Sequence, residues 1–333
     1  MIQASAPGRC GLVGNPTDMY GGRVLSLSTR ERAHCTLSLE ADALIITVSD
    51  QTQVLYSTDD LALRPGDYLN VARAALSALE IDPATAVPFH LSAWTEIPMQ
   101  AGLAGSTAIL ACLTGCLLEH SGLRLNPYET AELVRKIEYD VLGIVCGFQD
   151  HYMTVFGGLN FMDFSGKNSA ETTDTSTPFA TIESLTPYVP DLPFVLAHTG
   201  VRHHSGSVHT SPRERWLAGD RKVIDGYGEI ARLTPIAKRA LFSGDRETLG
   251  RLMNRNHAIV RDLGGSGEAN EALIAAALSG GALGAKLAGA GGGGTIIALT
   301  LDPDRTVKAL EAAGAEAILL PAPMPGLTVE IVS

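Results

Sequence analysis

The chain has 333 residues, enough for two domains that each bury a core. Hydrophobic residues make up 45% and charged residues 18%, a globular balance and not a disordered one. Acidic residues outnumber basic ones 36 to 25, and the net charge of -11 argues against broad nucleic-acid binding while leaving room for a local cationic pocket.

In chain order, the first informative stretch runs Pro7-Gly8-Arg9-Cys10-Gly11-Leu12-Val13-Gly14-Asn15-Pro16-Thr17-Asp18. It reads as a turn carrying one Arg and one Asp: either a strand end with a surface ion pair, or a charge stabiliser, Arg9, beside a hydroxyl-binding group, Asp18. Residues 33–39 and 43–48 read as strands, 67–79 as an amphipathic helix and 87–94 as a strand.

The strand at 87–94 leads into Pro98-Met-Gln100-Ala101-Gly102-Leu103-Ala104-Gly105-Ser106-Thr107, just before a helical run at 108–119. Glycine lets backbone N–H groups converge, and a helix start adds unpaired N–H groups and the positive end of the dipole. That combination is a phosphate cradle, with Ser106 placed to ligate a phosphate-bound metal. The competing reading is a plain loop-to-helix turn.

Asn126-Pro127-Tyr128-Glu129 is a helix start, with an Asn cap, Pro at the first position and Glu at the third; the helix is expected to reach about residue 141. Glu138 then falls near a helix C-terminus, where the dipole disfavours a carboxylate and a cation would compensate. Asp150 lies in a glycine-flanked, otherwise apolar run and needs partners, its own backbone or a ligand. A strand is expected at 159–164, and the polar stretch 165–180 reads as a loop near a domain boundary. The division expected is 1–175 and 185–333.

The second half opens with a strand at 194–199. Helical patterns follow at 211–233, 235–242, 246–263 and 269–279. Strands at 295–301, 317–320 and 328–332 flank a helix at 303–313. Gly284-Ala-Lys286-Leu-Ala-Gly289-Ala-Gly291-Gly292-Gly-Gly294 weakens regular structure, so it reads as a close approach of backbone to backbone or ligand, or as a hinge. Strands and helices interleave without a regular βαβ rhythm, which favours α+β over a doubly wound sheet.

Five cysteines, Cys10, Cys35, Cys112, Cys116 and Cys146, lie in apolar stretches, so reduced thiols in a cytoplasm are the simplest reading. Cys112 and Cys116 share a helix face but lack a second pair at zinc-site spacing, which favours packing. The first eight residues have neither the cationic start nor the apolar core of a signal peptide, and there is no run of about 18 apolar residues to span a membrane. A cytoplasmic protein with no membrane partner is expected.

Three ordered motifs resemble the GHMP kinase superfamily over nearly the whole chain: Pro7-Gly8-Arg9 with Gly14 and Asp18; Pro98 with Gly102-Leu103 and Gly105-Ser106; and Lys286-Leu287-Ala288-Gly289-Ala290-Gly291-Gly292-Gly293. Within that superfamily, the runs 14–20, 142–150, 157–164, 205–209 and 213–217 are similar to glucuronokinases. Galactokinases would carry Glu-His in place of Asn15-Pro16. Three positions depart from the pattern: Gln100 stands for a frequent Gly, Gly105 for a frequent Ser, and His151 for the Arg of plant-type glucuronokinases.

The resemblance implies a two-domain fold, with a ribosomal protein S5 domain 2-like N-terminal domain and a ferredoxin-like C-terminal domain around a cleft. It implies ATP on Pro98 and Gln100 to Thr107, and Mg²⁺ on Ser106 and Glu138. Asp150 would orient or accept the proton of a sugar hydroxyl while Arg9 stabilises developing charge. Asp18, Asn15, Arg23, Gly289, Gly291 and Gly292 would contact the sugar. The implied reaction takes D-glucuronate to D-glucuronate 1-phosphate; galacturonate or a heptose phosphate is the alternative acceptor, and a sugar sensor without turnover the reading from another class. A uronate needs a cation for its carboxylate, for which Arg23, Arg202, His204 and Arg215 are candidates. His203, His204 and His209 read as a substrate-facing loop ahead of a metal site. A monomer or homodimer is expected.

Overall fold

A computed structural model describes residues 1–167, 178–189, 193–201, 211–289 and 294–332. Strands β1 (Ile2–Val13), β2 (Arg23–Ser38), β3 (Leu44–Val48) and β4 (Gln51–Leu55) come first, followed by α1 (Asn70–Ala78), β5 (His90–Thr95), α2 (Gly105–His120) and α3 (Pro127–Lys136). Next come α4 (Gln149–Phe156), β6 (Leu159–Asp163), β7 (Thr181–Ser184) and β8 (Phe194–His198). Four helices follow, α5 (Pro212–Leu217), α6 (Arg221–Ser243), α7 (Arg246–Asp262) and α8 (Glu268–Ser279). The chain ends with β9 (Ala282–Leu287), β10 (Thr295–Thr300), α9 (Pro303–Ala312), β11 (Ala317–Leu319) and β12 (Thr328–Ile331).

Two sheets result. The first has the order β12-β1-β2-β5-β3-β4, with β6 on the other end of β2 and β7 beside β6; the second has the order β11-β8-β10-β9. All pairs are antiparallel except β3 with β5. The architecture is the expected α+β arrangement. One feature alters the expected division at 185–333: β12 leaves the second sheet and pairs with β1, Ile2 opposite Ile331. The C-terminal strand thus completes the N-terminal sheet.

The core explains why the second sheet reads as continuous apolar runs. On β8, Phe194 and Leu196 face a core shared with the first sheet, while Val195 and Ala197 face α8 and α9. On β10, Ile297 and Leu299 join the shared core and Ile296 and Ala298 the outer one. A strand buried on both faces loses its polar alternation. Helix α2 is similarly buried along nearly its whole length, from Thr107 to Leu118, so it carries almost no amphipathic signal.

Several elements differ from expectation: β2 begins at Arg23, β4, β7 and β9 were not expected as strands, and the differences that follow bear on the site or have a local reason. The stretch around Gly8 and Gly11 is not a turn but the middle of β1, with register shifts at Pro7/Arg9 and Gly11/Val13. The helix break expected before Pro235 falls instead at 218–220, where Gly219 has φ 79° and the Asp220 side chain caps the next helix through Lys222 N; α6 then runs through Pro235. The run holding Asp150 is helical, as α4. The expected helix to 141 is present, but its last turn, Ile137–Val141, has widened to a π-helix.

Candidate active site

The bulges in β1 build the site. A bulge releases backbone groups from the ladder and re-aims them. The Arg9 N–H donates to Leu103 O (3.0 Å) and the Gly11 N–H to Ala288 O (2.8 Å), so one strand grips both glycine-rich segments. Those segments also touch each other. A Cβ on Gly289 would lie 2.6 Å from Gly102 O, so only glycine permits this approach. Within the first segment, Gln100, Gly102 and Ala104 have φ of 56°, 69° and 62° while the residues between them do not go positive. Alternation of this kind turns successive N–H groups to one side as an anion nest, and two non-glycine residues hold a costly conformation to make it. The nest opens onto the N-terminus of α2.

Arg9 ties this backbone to an acid. Its Nε and Nη2 each lie 2.7 Å from Asp150 Oδ1, and its Nη1 donates to Gly102 O (2.5 Å). Arg9 is buried, 6% exposed, whereas the Asp150 side chain is 31% exposed and reaches the cleft. Asp150 lies in the first turn of α4, and that helix is capped from far away in sequence. Asp18 Oδ2 accepts the Phe148 and Gln149 N–H groups at 2.8 and 3.0 Å. Burial pushes the Asp18 carboxyl above its ordinary range, with Asp150 adding to the effect and the two N–H groups opposing it.

The metal-side expectations converge on Glu138, in the π-helical turn. Its Oε2 accepts from Thr107 Oγ1 (2.9 Å) and lies 2.8 Å from His151 Nε2. Burial would raise the Glu138 carboxyl, but the bonds from His151 and Thr107 outweigh it and hold the group below its ordinary value. For His151, burial opposes the charge, yet Cys146 and Glu138 together push its pKa up to about 10. The cation that the position of Glu138 called for is therefore the unexpected His151. Ser106 sits in the first turn of α2, and no described residue bonds its hydroxyl. Two oxygen donors suit Mg²⁺, and a backbone nest closed by bare glycine suits phosphate, so the residues fit both groups.

A cleft of about 440 Å³ gathers Arg9, Asn15, Asp18, Glu138, Asp150 and Gly289 in one wall. Other expectations fare differently. Both ends of the Asn15 amide are spent on the protein: Nδ2 donates to Gly289 O (2.7 Å) and Oδ1 accepts from Lys286 Nζ (2.7 Å). Arg23 does not line the cleft and pairs with Asp163 at 2.7 Å. Arg215 is likewise committed, to Asp220 (2.8 Å) and Leu263 O (3.0 Å). Gly291, Gly292, Arg202, His203, His204 and His209 lie outside the described residues.

Sequence reasoning missed Arg213, which enters the cleft wall beside Tyr20 and Tyr227. It stands two residues before Arg215 in one charged run, and nothing in that run tells which Arg lines the cleft and which meets Asp220. It also missed Lys286, whose Nζ donates to Gly11 O (3.0 Å) as well as to Asn15. Burial pulls its pKa down to about 7. A lone lysine amid apolar strand residues was the available signal.

Comparison with known proteins accords with this geometry. Residues 69–158 match the model of the GHMP kinases N terminal domain and residues 237–318 that of the GHMP kinases C terminal region. Glucuronokinase 1 of Arabidopsis thaliana is 31% identical over 91% of this chain and 86% of its own. A D-glycero-alpha-D-manno-heptose 7-phosphate kinase of Campylobacter jejuni is 27% identical over 93% of this chain and 92% of its own. The structure of Lactococcus lactis galactokinase complexed with galactose shares the fold, with a TM-score of 0.74 at 21% identity over 98% and 95% of the two chains. With both halves matched and a relative above 30% identity along most of its length, the chain belongs to the GHMP kinase family and is a phosphotransferase with a hydroxyl acceptor.

Proposed function

We propose that the protein transfers the γ-phosphoryl group of ATP to a hydroxyl of an acidic sugar, D-glucuronate giving D-glucuronate 1-phosphate. The observation that carries this reading is the Arg9 bridge, which fixes Asp150 against the backbone of the glycine nest at the wall of the cleft. Phosphoryl transfer asks the protein for alignment and charge neutralisation more than for covalent chemistry.

The N–H groups of 102–107 and the start of α2 hold the phosphates. Ser106 and Glu138 hold Mg²⁺, which when bound neutralises phosphate charge. Asp150 Oδ1 is occupied by Arg9, while Oδ2 accepts no bond among the described residues, so Oδ2 takes or orients the hydroxyl proton. Arg9 stabilises the charge that develops at the transferring group. Asp18 Oδ1 is the oxygen left for a second sugar hydroxyl, since Oδ2 caps α4.

The acid specificity rests on Arg213. Arg213 lines the described cleft wall together with the Tyr20–Tyr227 pair, whose ring centroids are 4.8 Å apart. A guanidinium beside aromatic faces suits a pyranose bearing an anion. The similarity to the Campylobacter heptose 7-phosphate kinase favours a second reading, in which the anion is a phosphate. ADP release with MgATP across D-glucuronate, D-galacturonate, heptose phosphates and neutral hexoses tests both. Turnover highest with glucuronate is expected; turnover confined to a heptose phosphate selects the second reading, and turnover only with neutral hexoses ends both.

A further inference from the structure

Cys146 is a half-buried thiol in the cleft wall that the phosphoryl-transfer reading does not use. Its Sγ lies 3.9 Å from His151 Nε2, which in turn lies 2.8 Å from Glu138 Oε2. All three donor atoms fall within 4.8 Å of one another. The imidazole is fully buried, and among the described residues its ring nitrogens meet no polar side chain besides this thiol and this carboxylate, and Nδ1 has no hydrogen-bond partner.

We infer that Glu138, Cys146 and His151 form a binding site for a borderline-soft divalent ion such as Zn²⁺ or Co²⁺, separate in chemistry from the Mg²⁺ site. The donor set decides the class. Mg²⁺ takes oxygen and avoids thiolate, whereas zinc accepts one nitrogen, one sulfur and one carboxylate oxygen with a fourth position open. The spacing also fits. Bond lengths of about 2.0 to 2.3 Å to a tetrahedral ion put donor atoms roughly 3.3 to 3.8 Å apart. The His151–Glu138 contact, 2.8 Å, has to open by about half an ångström to reach that range, the Cys146–His151 separation of 3.9 Å lies just beyond it, and Cys146 and Glu138, within 4.8 Å of each other, have to draw together where they exceed it.

On binding, the ion replaces the Cys146 thiol proton and the proton shared between His151 and Glu138, and both protons leave to solvent. The site takes Glu138, so a soft ion works against phosphoryl transfer even with Mg²⁺ in excess. That inhibition rests on the proposed role of Glu138; the binding itself does not.

The test is titration of the purified full-length protein with Co²⁺ alone, read by visible absorption. One equivalent should give tetrahedral d–d bands with a thiolate-to-cobalt charge-transfer band, and Zn²⁺ should displace it. Loss of an outer partner of a metal ligand already costs roughly 10–100-fold in affinity, so Cys146→Ser, which loses a ligand, should bind at least that much more weakly and show no charge-transfer band. Its melting temperature without metal should match that of the parent, which separates ligand loss from misfolding. His151→Gln should weaken the band as well. A parent protein without the charge-transfer band, or a Cys146→Ser protein that retains it, overturns the proposal whether or not any sugar is phosphorylated. Zn²⁺ inhibition of the MgATP-dependent reaction, at least tenfold weaker in Cys146→Ser, would add that the ion acts through Glu138.

Discussion

The two sides of the cleft are built from different materials. On one side, β1, the 98–107 loop and the second glycine segment meet through backbone: Arg9 N on Leu103 O, Gly11 N on Ala288 O, and Gly289 against Gly102. On the other, Glu138, His151, Thr107 and Cys146 meet through side chains at buried or half-buried positions, and the Asp18 side chain caps α4. Backbone contacts at glycine tolerate almost no added volume but accept many neighbouring sequences. Side-chain contacts tolerate small changes of shape but depend on each residue's charge. The first side suits a ligand part that never varies, the phosphates; the second is where relatives with different acceptors can diverge.

The sharpest way to break this comparison lies where the two sides join. Asp150→Asn should keep nucleotide binding, by calorimetry, and lose roughly 10²–10⁴-fold in kcat, the usual worth of a positioned acid or base. Unchanged turnover would remove Asp150 from its role. Next in size, Gly289→Ala should strain the backbone side alone. Its Cβ would meet Gly102 O at 2.6 Å, so the nest must shift. We expect KM for ATP to rise at least tenfold and about 1–3 kcal/mol of stability to be lost, while Co²⁺ binding at Cys146 stays the same. An ATP KM equal to the parent's would show that the two glycine segments need not touch.

On the side-chain side, Asp18→Ala removes a cap that lies 130 residues away from its helix. It leaves the Phe148 and Gln149 N–H groups unpaired and should cost about 1–2 kcal/mol in urea unfolding. Asp18→Asn, which still offers an oxygen, should recover most of that loss; failure to recover would mean that charge, not capping, is what matters there.

The smallest effect is one of pH. Buried Lys286 holds its proton less tightly than the ordinary lysine value of 10.5, with a pKa near 7. Between those values the unfolded chain binds more protons than the folded one, so the contribution of this group to stability rises with pH across that window. Lys286→Met should flatten the rise between pH 7 and pH 9.5 in denaturant midpoints. An identical slope in both proteins would mean that the amine is not buried as described.

The same division governs what the sequence made legible. The glycine segments, the start of α2 and the Asn126 cap carry local signatures, because glycine and capping residues are selected by the conformation of their own backbone. Arg9, Asp150 and Glu138 could be singled out because a charge in an apolar or dipole-opposed setting needs a reason. Partners drawn from distant segments left no local trace. That Asp18 caps α4, that His151 is the cation beside Glu138, and that Asn15 is spent on Lys286 and Gly289 all depend on how β1 lands against α4 and β9. Strand β1 itself was hidden, since its bulges place Gly and Pro where a strand normally excludes them. The sequence left the choice among arginines open for a related reason: Arg213 and Arg215 share a helix, and only packing decides which one meets Asp220.

The most direct measurement is a crystal structure with Mg²⁺ and a non-hydrolysable ATP analogue. The account predicts the β- and γ-phosphates against the backbone N–H groups of residues 102–107, with Ser106 and Glu138 on the metal and the γ-phosphate facing Asp150 across the cleft. A triphosphate bound elsewhere, or one that leaves Asp150 on the far side of the protein from its terminal phosphate, would contradict it.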